Sequence, residues 1–373
     1  RVLFRSGTGK TTLIRAIITA AEQNGLEPAL MAPTGRAAKR LAISSGRDAD
    51  TIHKALEASV RETGRTYFER NEANPLEEDL IIVDEASMLD ISLFYHLLCA
   101  LKDGARLILV GDIDQLPPVG AGEPLKDLMS WGYVPIVRLK RIFRQEEGSG
   151  IVENAALIRK GEMCVPDEAG EFRIVYAADD EDAYRIVMDL CRELNYGNEE
   201  NKMLLQVLSP MYRGVCGVDH LNESLQEMIH GEKVPDGMKF FPGDKVMQTR
   251  NDYEKGIYNG DVGTVWTATP QKVFVRYFDK EVVYEGEERF DLRLAYAVTV
   301  HKSQGSEYET VIFILRPSQH NMLQRNLLYT GVTRARKNTI LVTAPDALRR
   351  ALAIQHTGNR YSLFLPFLNH EAL

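Results

Sequence analysis

Leu80-Ile81-Ile82-Val83-Asp84-Glu85-Ala86-Ser87 decides how this chain is read: four apolar residues run without a polar break and stop at two adjacent carboxylates. A short, unbroken apolar run suits a strand covered on both faces, as in a parallel sheet packed between helices. The same texture appears upstream in Ala29-Leu30-Met31-Ala32 and downstream in Arg106-Leu107-Ile108-Leu109-Val110, which ends at Gly111-Asp112. From Thr11 to Asn24, Leu13, Ile14, Ile17, Ile18 and Ala21 share one helical face, and Gly25 ends the helix. Strands alternating with helices, with polar residues at strand ends, predict an α/β fold whose ligands sit at the carboxyl edge.

Farther out the pattern repeats and is then interrupted. A second α/β region begins near Gly148, with strands expected at Phe172–Tyr176 and Leu204–Leu208 and a helix over Ala183–Leu194. From about Lys239 to Asp291, short alternating runs such as Gly263-Thr264-Val265-Trp266 and Lys272-Val273-Phe274-Val275 are punctuated by Gly243-Asp244 and Asn259-Gly260-Asp261. That texture predicts a small β-barrel. It is an insertion, because α/β texture resumes at Leu294–Val300 and Val311–Leu315. Thr63 to Pro75, polar and turn-rich, is either a small hairpin leaving the first sheet or a surface loop.

With 373 residues, 44% of them hydrophobic and 26% charged, the chain can bury more than one core. A net charge of −8 excludes a protein coated in positive charge but not one with a local basic groove. Cys99, Cys164, Cys191 and Cys216 are far apart, which points to a reducing, cytoplasmic setting rather than a disulfide framework or zinc site. No apolar run is long enough to span a membrane.

The chemistry gathers in three segments. Gly7-Thr8-Gly9-Lys10-Thr11-Thr12 opens the first helix. Backbone N–H groups there can hold an anion, Lys10 can reach the β- and γ-phosphates of ATP, and the Thr11 hydroxyl can ligate Mg²⁺. The glycines could instead simply cap a turn. Asp84, at a strand end, suits a Mg²⁺ contact, and Glu85 beside it can polarise an attacking water as general base; a plain helix cap is the alternative. Gln115 lies in Gly111-Asp112-Ile113-Asp114-Gln115-Leu116-Pro117-Pro118, where it can touch the water or the γ-phosphate on a loop stiffened by two prolines.

These segments resemble, in order, the motifs of superfamily 1 helicases: G-T-G-K-T-T, A-P-T-G-R-A-A (32–38), T-I-H (51–53), V-D-E-A-S-M (83–88) and V-G-D-I-D-Q-L-P-P-V-G (110–120). The second half continues with L-K-R-I-F-R-Q (139–145), L-S-P-M (208–211), Y-A-V-T-V-H-K-S-Q-G-S-E (296–307) and Y-T-G-V-T-R-A-R (329–336). The P-T-G-R-A-A and D-E-A-S forms are similar to the RecD-like branch, superfamily 1B. The resemblance implies two RecA-like P-loop NTPase domains, residues 1–146 and 147–373. The second carries an SH3-like barrel at about 239–291, and the first a hairpin at about 60–76. It implies an ATP-dependent DNA helicase that moves 5′ to 3′ on single-stranded DNA and opens single-strand/duplex junctions in recombination or repair, as a monomeric motor. It gives Arg144 and Arg334 the role of arginines that approach the γ-phosphate, and adds Gly305 to the nucleotide-binding set. For the strand it implies Thr34, Gly35, Arg36, His53 and Val119 in the first region and Thr299, His301, Lys302 and Ser303 in the second. Hydroxyls, amides and a few cations hold a sugar-phosphate chain without reading bases. For His53, a capping or core role is the alternative.

One departure stands out. The family pattern places glycines before Gly7, where this chain has Phe4-Arg5-Ser6. A side chain at Phe4 hinders backbone approach to phosphate. The expectation is that residues 1–6 are foreign to the motor, that its opening strand and preceding domain are absent, and that ATP binding is weak. Two other readings compete: the helicase domain of a conjugative relaxase, and a decayed single-strand-binding module. Lys10, Thr11, Asp84, Glu85, Gln115 and Arg334 all being present speaks against decay.

Overall fold

The computed structural model describes residues 2–3, 10–60, 66–139, 149–235, 237–252, 254–278, 280–355 and 364–369. It divides into two compact units, residues 1–146 with 357–373, and residues 147–356.

The first unit is built on strands β1 (Val2–Leu3), β2 (Pro28–Ala32), β3 (Asp50–Thr51), β6 (Leu80–Val83), β7 (Arg106–Gly111) and β8 (Val137–Arg138), with β4 (Ala58–Val60) and β5 (Thr66–Phe68) standing apart. The sheet order is β3-β2-β6-β7-β1-β8, and every described pairing is parallel. The structure explains the unbroken apolar run of β6. Ile81 and Val83 join a core with Phe94 and Leu97, while Leu80 and Ile82 join another with Ile14, Ile18 and Leu41. Successive side chains of a strand point to opposite faces, and helices cover both here. Helix Lys10–Gln23 buries Ile14, Ile18 and Ala21, and Gly25 beyond it takes the left-handed φ of 69°.

Two expectations for this unit are corrected. Residues 1–6 are not wholly foreign to it. Val2 and Leu3 lie between β7 and β8, with Val2 opposite Val110 and Val137. The opening strand is therefore present. The C-terminal helix Phe364–Leu368 belongs here and not with the second unit: it packs on helix Pro124–Trp131, and the Phe364 ring meets Phe94 edge-on at 5.9 Å.

A hairpin does leave the first sheet: β4 and β5 pair antiparallel, Ala58 opposite Phe68 and Ser59 opposite Tyr67, so of the expected Thr63–Pro75 stretch its strands take in only Thr66–Phe68. Its strands begin at Ala58, two residues before the expected start at 60. Phe68 roots it, buried in the unit's core and 4.5 Å from the His96 ring. Residues 61–65 lie outside the described set.

The second unit holds β9 (Phe172–Tyr176), β10 (Leu205–Ser209), β11 (Lys245–Gln248), β12 (Val262–Ala268), β13 (Lys272–Arg276), β14 (Glu281–Glu285), β15 (Leu292–Leu294), β16 (Ala297–Thr299), β17 (Tyr308–Leu315) and β18 (Ala335–Thr343). Its parallel sheet runs β16-β10-β17-β18-β9, and the insertion is an antiparallel sheet of order β14-β13-β12-β11-β15 around Phe240, Val246, Val265, Val275 and Tyr284. A bulge between Val265 and Thr267 bends β12, as small barrels require. The insertion ends later than the expected Asp291. Leu292–Leu294 pairs with β11, leaving only Ala295 and Tyr296 before β16.

Buried polar groups bolt insertion to sheet. The Asp244 carboxylate accepts hydrogen bonds from Tyr296 Oη (2.9 Å), the Phe241 amide (2.7 Å) and Gln226 Nε2, and it meets His230 Nε2 at 2.9 Å. Lys245, 1% exposed, donates to the Leu205 carbonyl (3.0 Å), Gln206 Oε1 (3.0 Å) and Tyr196 Oη (3.3 Å). An ammonium has three donors, so each of these oxygens can take one.

Candidate functional site

At the carboxyl edge of the first sheet, β6 delivers Asp84 and Glu85. Glu85 adopts φ 51°, ψ 36°, a left-handed conformation that non-glycine residues seldom take and that collects at functional sites. Its amide donates to Asp84 Oδ1 at 2.8 Å, which fixes one carboxylate relative to the other. Burial, and then the neighbouring Glu85 charge, push the Asp84 carboxyl above the usual carboxylate range; Lys10 and Arg40 pull it back. Lys10 begins helix Lys10–Gln23, so the cation and the acidic pair share this edge. Sequence reading missed Arg40. It lies four residues after Arg36 on helix Gly35–Ser45, a spacing that places both on one helical face and was the available signal.

The loop after β7 closes over the same turn. A Cβ on Gly111 would stand 2.8 Å from the Ser87 amide nitrogen, so only glycine lets the end of β7 touch the turn that carries Glu85. Gln115 follows, 3% exposed, with its amide donating to the Asp112 carbonyl at 3.2 Å. The Ile91 amide donates to the Ala121 carbonyl at 2.8 Å and anchors the far end of the loop. Thr11 lies in the first turn of its helix, with Thr12 exposed beside it. Gly7, Thr8, Gly9 and Arg144 lie outside the described residues.

The residues expected to hold a strand fall into two sets, one per unit. In the first, Thr34 Oγ1 accepts from the Ala37 amide at 3.3 Å, capping the helix that begins with buried Gly35 and half-buried Arg36. His53 is half-buried, 5.9 Å from the Phe68 ring. Burial lowers its pKa, with Asp90 opposing, which favours a neutral imidazole. Val119 is 90% exposed. In the second unit, β16 ends at Thr299, whose Oγ1 accepts from the Lys302 amide at 3.2 Å. Lys302 Nζ donates to Asn259 Oδ1 of the insertion at 2.7 Å. His301 is half-buried, and burial lowers its pKa.

The geometry overturns one assignment and constrains another. Ser303 is fully buried and its hydroxyl donates to the Val300 carbonyl at 2.7 Å, so it shapes the turn and presents nothing to a strand. Arg334, 1% exposed, donates through Nε to the Thr330 carbonyl and through Nη1 to the Ser306 carbonyl, both at 3.1 Å. In this arrangement it braces the segment after Gly305, which takes φ 74°.

Known proteins match along most of the chain. Residues 4–173 fit the model of an AAA domain, 221–277 that of the ATP-dependent RecD-like DNA helicase SH3 domain, and 294–342 that of the UvrD-like helicase C-terminal domain. The chain is 38% identical over 361 residues to the ATP-dependent RecD2 DNA helicase of Deinococcus radiodurans, covering 96% of this chain and 48% of the relative. It is 33% identical to the RecBCD enzyme subunit RecD of Mycolicibacterium smegmatis, covering 96% of this chain and 71% of that one. The chain belongs to the RecD-like helicase family.

This RecD-like chain thus spans about half the length of the Deinococcus relative. A crystal structure of Bacteroides Pif1 helicase in complex with ADP-AlF3 and single-stranded DNA superposes with a TM-score of 0.57 over 99% of this chain and 92% of that one. At 21% identity it supports the fold alone. Among the described residues of the RecD-like chain, no helix is long and apolar enough to cross a membrane.

Proposed function

We propose that this chain hydrolyses ATP and uses the energy to move 5′ to 3′ along single-stranded DNA and part a duplex, as a cytoplasmic, monomeric motor in recombination or repair. One observation carries the reading. In a RecD-like chain, one parallel sheet edge gathers a helix-starting lysine, a strand-end carboxylate pair and a buried glutamine loop.

Lys10 neutralises phosphate charge at the start of its helix, where backbone N–H groups also face an anion. Glu85, held out of the sheet by its left-handed backbone, is the base that takes the proton of the attacking water, and Gln115 orients that water. Arg144 and Arg334 are the cations we assign to transition-state charge; for Arg334 this requires exchanging the Thr330 and Ser306 carbonyls for phosphate oxygen. Gly305 lends its turn to the same nucleotide set.

Asp84 and Thr11 are the residues that would hold Mg²⁺. The donor chemistry fits: two adjacent carboxylates, one raised in pKa by burial and then by the other's charge, are relieved by a hard cation. Among the described residues no three His, Cys, Asp or Glu side chains converge on one point. Mg²⁺ keeps water and phosphate ligands and takes only one or two from protein. When bound, it neutralises charge on the β- and γ-phosphates.

Thr34, Gly35, Arg36, His53 and Val119 in one unit, and Thr299, His301 and Lys302 in the other, are the proposed strand contacts. The buried thiols Cys164, Cys191 and Cys216, each raised to about 12 by burial, suit a reducing compartment. The test is strand separation on duplexes with a single 5′ or 3′ tail, in the presence of ATP and Mg²⁺. Unwinding from the 5′ tail alone is expected. Opening from the 3′ tail alone would overturn the polarity, and ATP turnover indifferent to single strands would overturn the motor.

A further inference from the structure

Between helix Val218–His230, the end of β16 and the insertion lies a cavity of about 770 Å³. That is within the range of sites that enclose small organic ligands. Its wall combines three features that do not otherwise belong together. Phe290, on the turn before β15, is 70% exposed and lies on the wall. Lys239, Arg293 and Lys302 line the same space. Thr299 lies at its edge, beside the strand-end turn already described.

The cations are built in rather than draped over the surface. Lys239 Nζ donates to the Leu292 carbonyl at 2.7 Å and stands 5.9 Å from the centre of the Phe290 ring. Lys302 is held by Asn259. Burial lowers the pKa of both lysines, and the Arg293 charge lowers each further, so three like charges are kept within reach of one another. Asp219 and Glu223 also line the cavity, but the only one near a cation is Asp219, 4.0 Å from Arg293, at the limit of an ion pair. Like charges held together with a solvated aromatic face favour an anion that carries a flat ring.

We infer that this cavity is a nucleotide subsite of the strand track, in which the base of one single-stranded DNA residue stacks on Phe290 while Lys239, Arg293 and Lys302 hold the flanking phosphates. This rests on the proposed single-strand binding and adds to it a site that takes hold of a base. Asn259 is a positioning residue here: it comes from the insertion and aims the Lys302 ammonium. Stacking needs only a π-face, so the subsite accepts any base and rejects a missing one.

The experiment measures, by fluorescence anisotropy, binding of an oligo-dT strand and of a strand of equal length made of abasic units, at several salt concentrations. The chain as it stands should bind oligo-dT at least tenfold more tightly than the abasic strand. Phe290→Ala should shrink that ratio about fivefold or more and leave abasic binding unchanged, and Phe290→Trp should restore it. Arg293→Ala should weaken both strands alike and flatten the salt dependence by about one counterion. Should Phe290→Ala keep the full dT-to-abasic ratio, the base subsite is overturned. If the unaltered chain binds neither strand, the broader reading fails instead, and the two failures are told apart by that first titration.

Discussion

The two parallel sheets of this molecule end in opposite electrostatic conditions. At the edge of the first, Asp84 and Glu85 are forced side by side, one in a backbone conformation side chains avoid, the other driven up in pKa by burial and by its neighbour. At the edge of the second, several polar groups satisfy one another. Ser303 bonds Val300, Thr299 receives Lys302, Arg334 binds two carbonyls, and Asn222 exchanges bonds with both the amide and the carbonyl of Ala297 at 2.9 Å. The same architecture therefore ends in two different states: one edge crowds two carboxylates together, and the other has polar groups paired with nearby backbone.

The comparison can be broken most directly at Glu85. Glu85→Gln removes the proton acceptor and one of the repelling charges. ATP turnover should fall by about 10³-fold or more while nucleotide binding persists; steady-state turnover beside equilibrium nucleotide binding reads both. Retained turnover would mean the strained edge is not where the chemistry happens. A second break concerns the satisfied side. Asp244→Ala leaves the Tyr296 hydroxyl, the Gln226 amide and the Phe241 N–H without their acceptor. Unfolding of the second unit in urea should come about 3 kcal/mol earlier. A loss under 1 kcal/mol would show that this network is loose rather than pre-set.

The smallest effect sharpens the contrast through pH. His301 has a folded pKa below its ordinary 6.5, caused by burial. Its contribution to stability is therefore present above that ordinary value and is lost as pH falls from there toward the lowered one. The slope is at most about 1.4 kcal/mol per pH unit for one proton. His301→Gln should remove that slope, read as urea midpoints of the second unit between pH 7 and pH 5. An unchanged slope would assign the acid sensitivity to other groups.

Much of this was legible in the chain itself. Strand Leu80–Val83 stands where its apolar run predicts, because burial on both faces leaves a signal no solvent-exposed segment imitates; Phe172–Tyr176 also stands where expected, as an edge strand with Arg173 and Tyr176 exposed. The acidic pair and the lysine were legible because strand ends and helix starts place them. What stayed hidden depends on partners distant in sequence. Val2–Leu3 is too short to show any period, and only β7 and β8 on either side make it a strand. Leu292–Leu294 merges with the apolar residues after it, so nothing local shows that it pairs with β11 and not with the parallel sheet. Phe364–Leu368 carries apolar side chains but no address, and packing against Pro124–Trp131 supplies one. For Ser303 the residue type matched the expected role, and a hydrogen bond to the Val300 carbonyl, invisible in a string of letters, redirects it; the two carbonyls that hold Arg334 were equally hidden.

The join between insertion and sheet has a mechanical meaning. With only Ala295 and Tyr296 separating the last barrel strand from the strand that ends in Thr299, and with Lys245 planted beneath the sheet, there is no slack in the connection. The insertion and the turn that carries Thr299 and Lys302 are thus joined by a short chain segment and by buried hydrogen bonds.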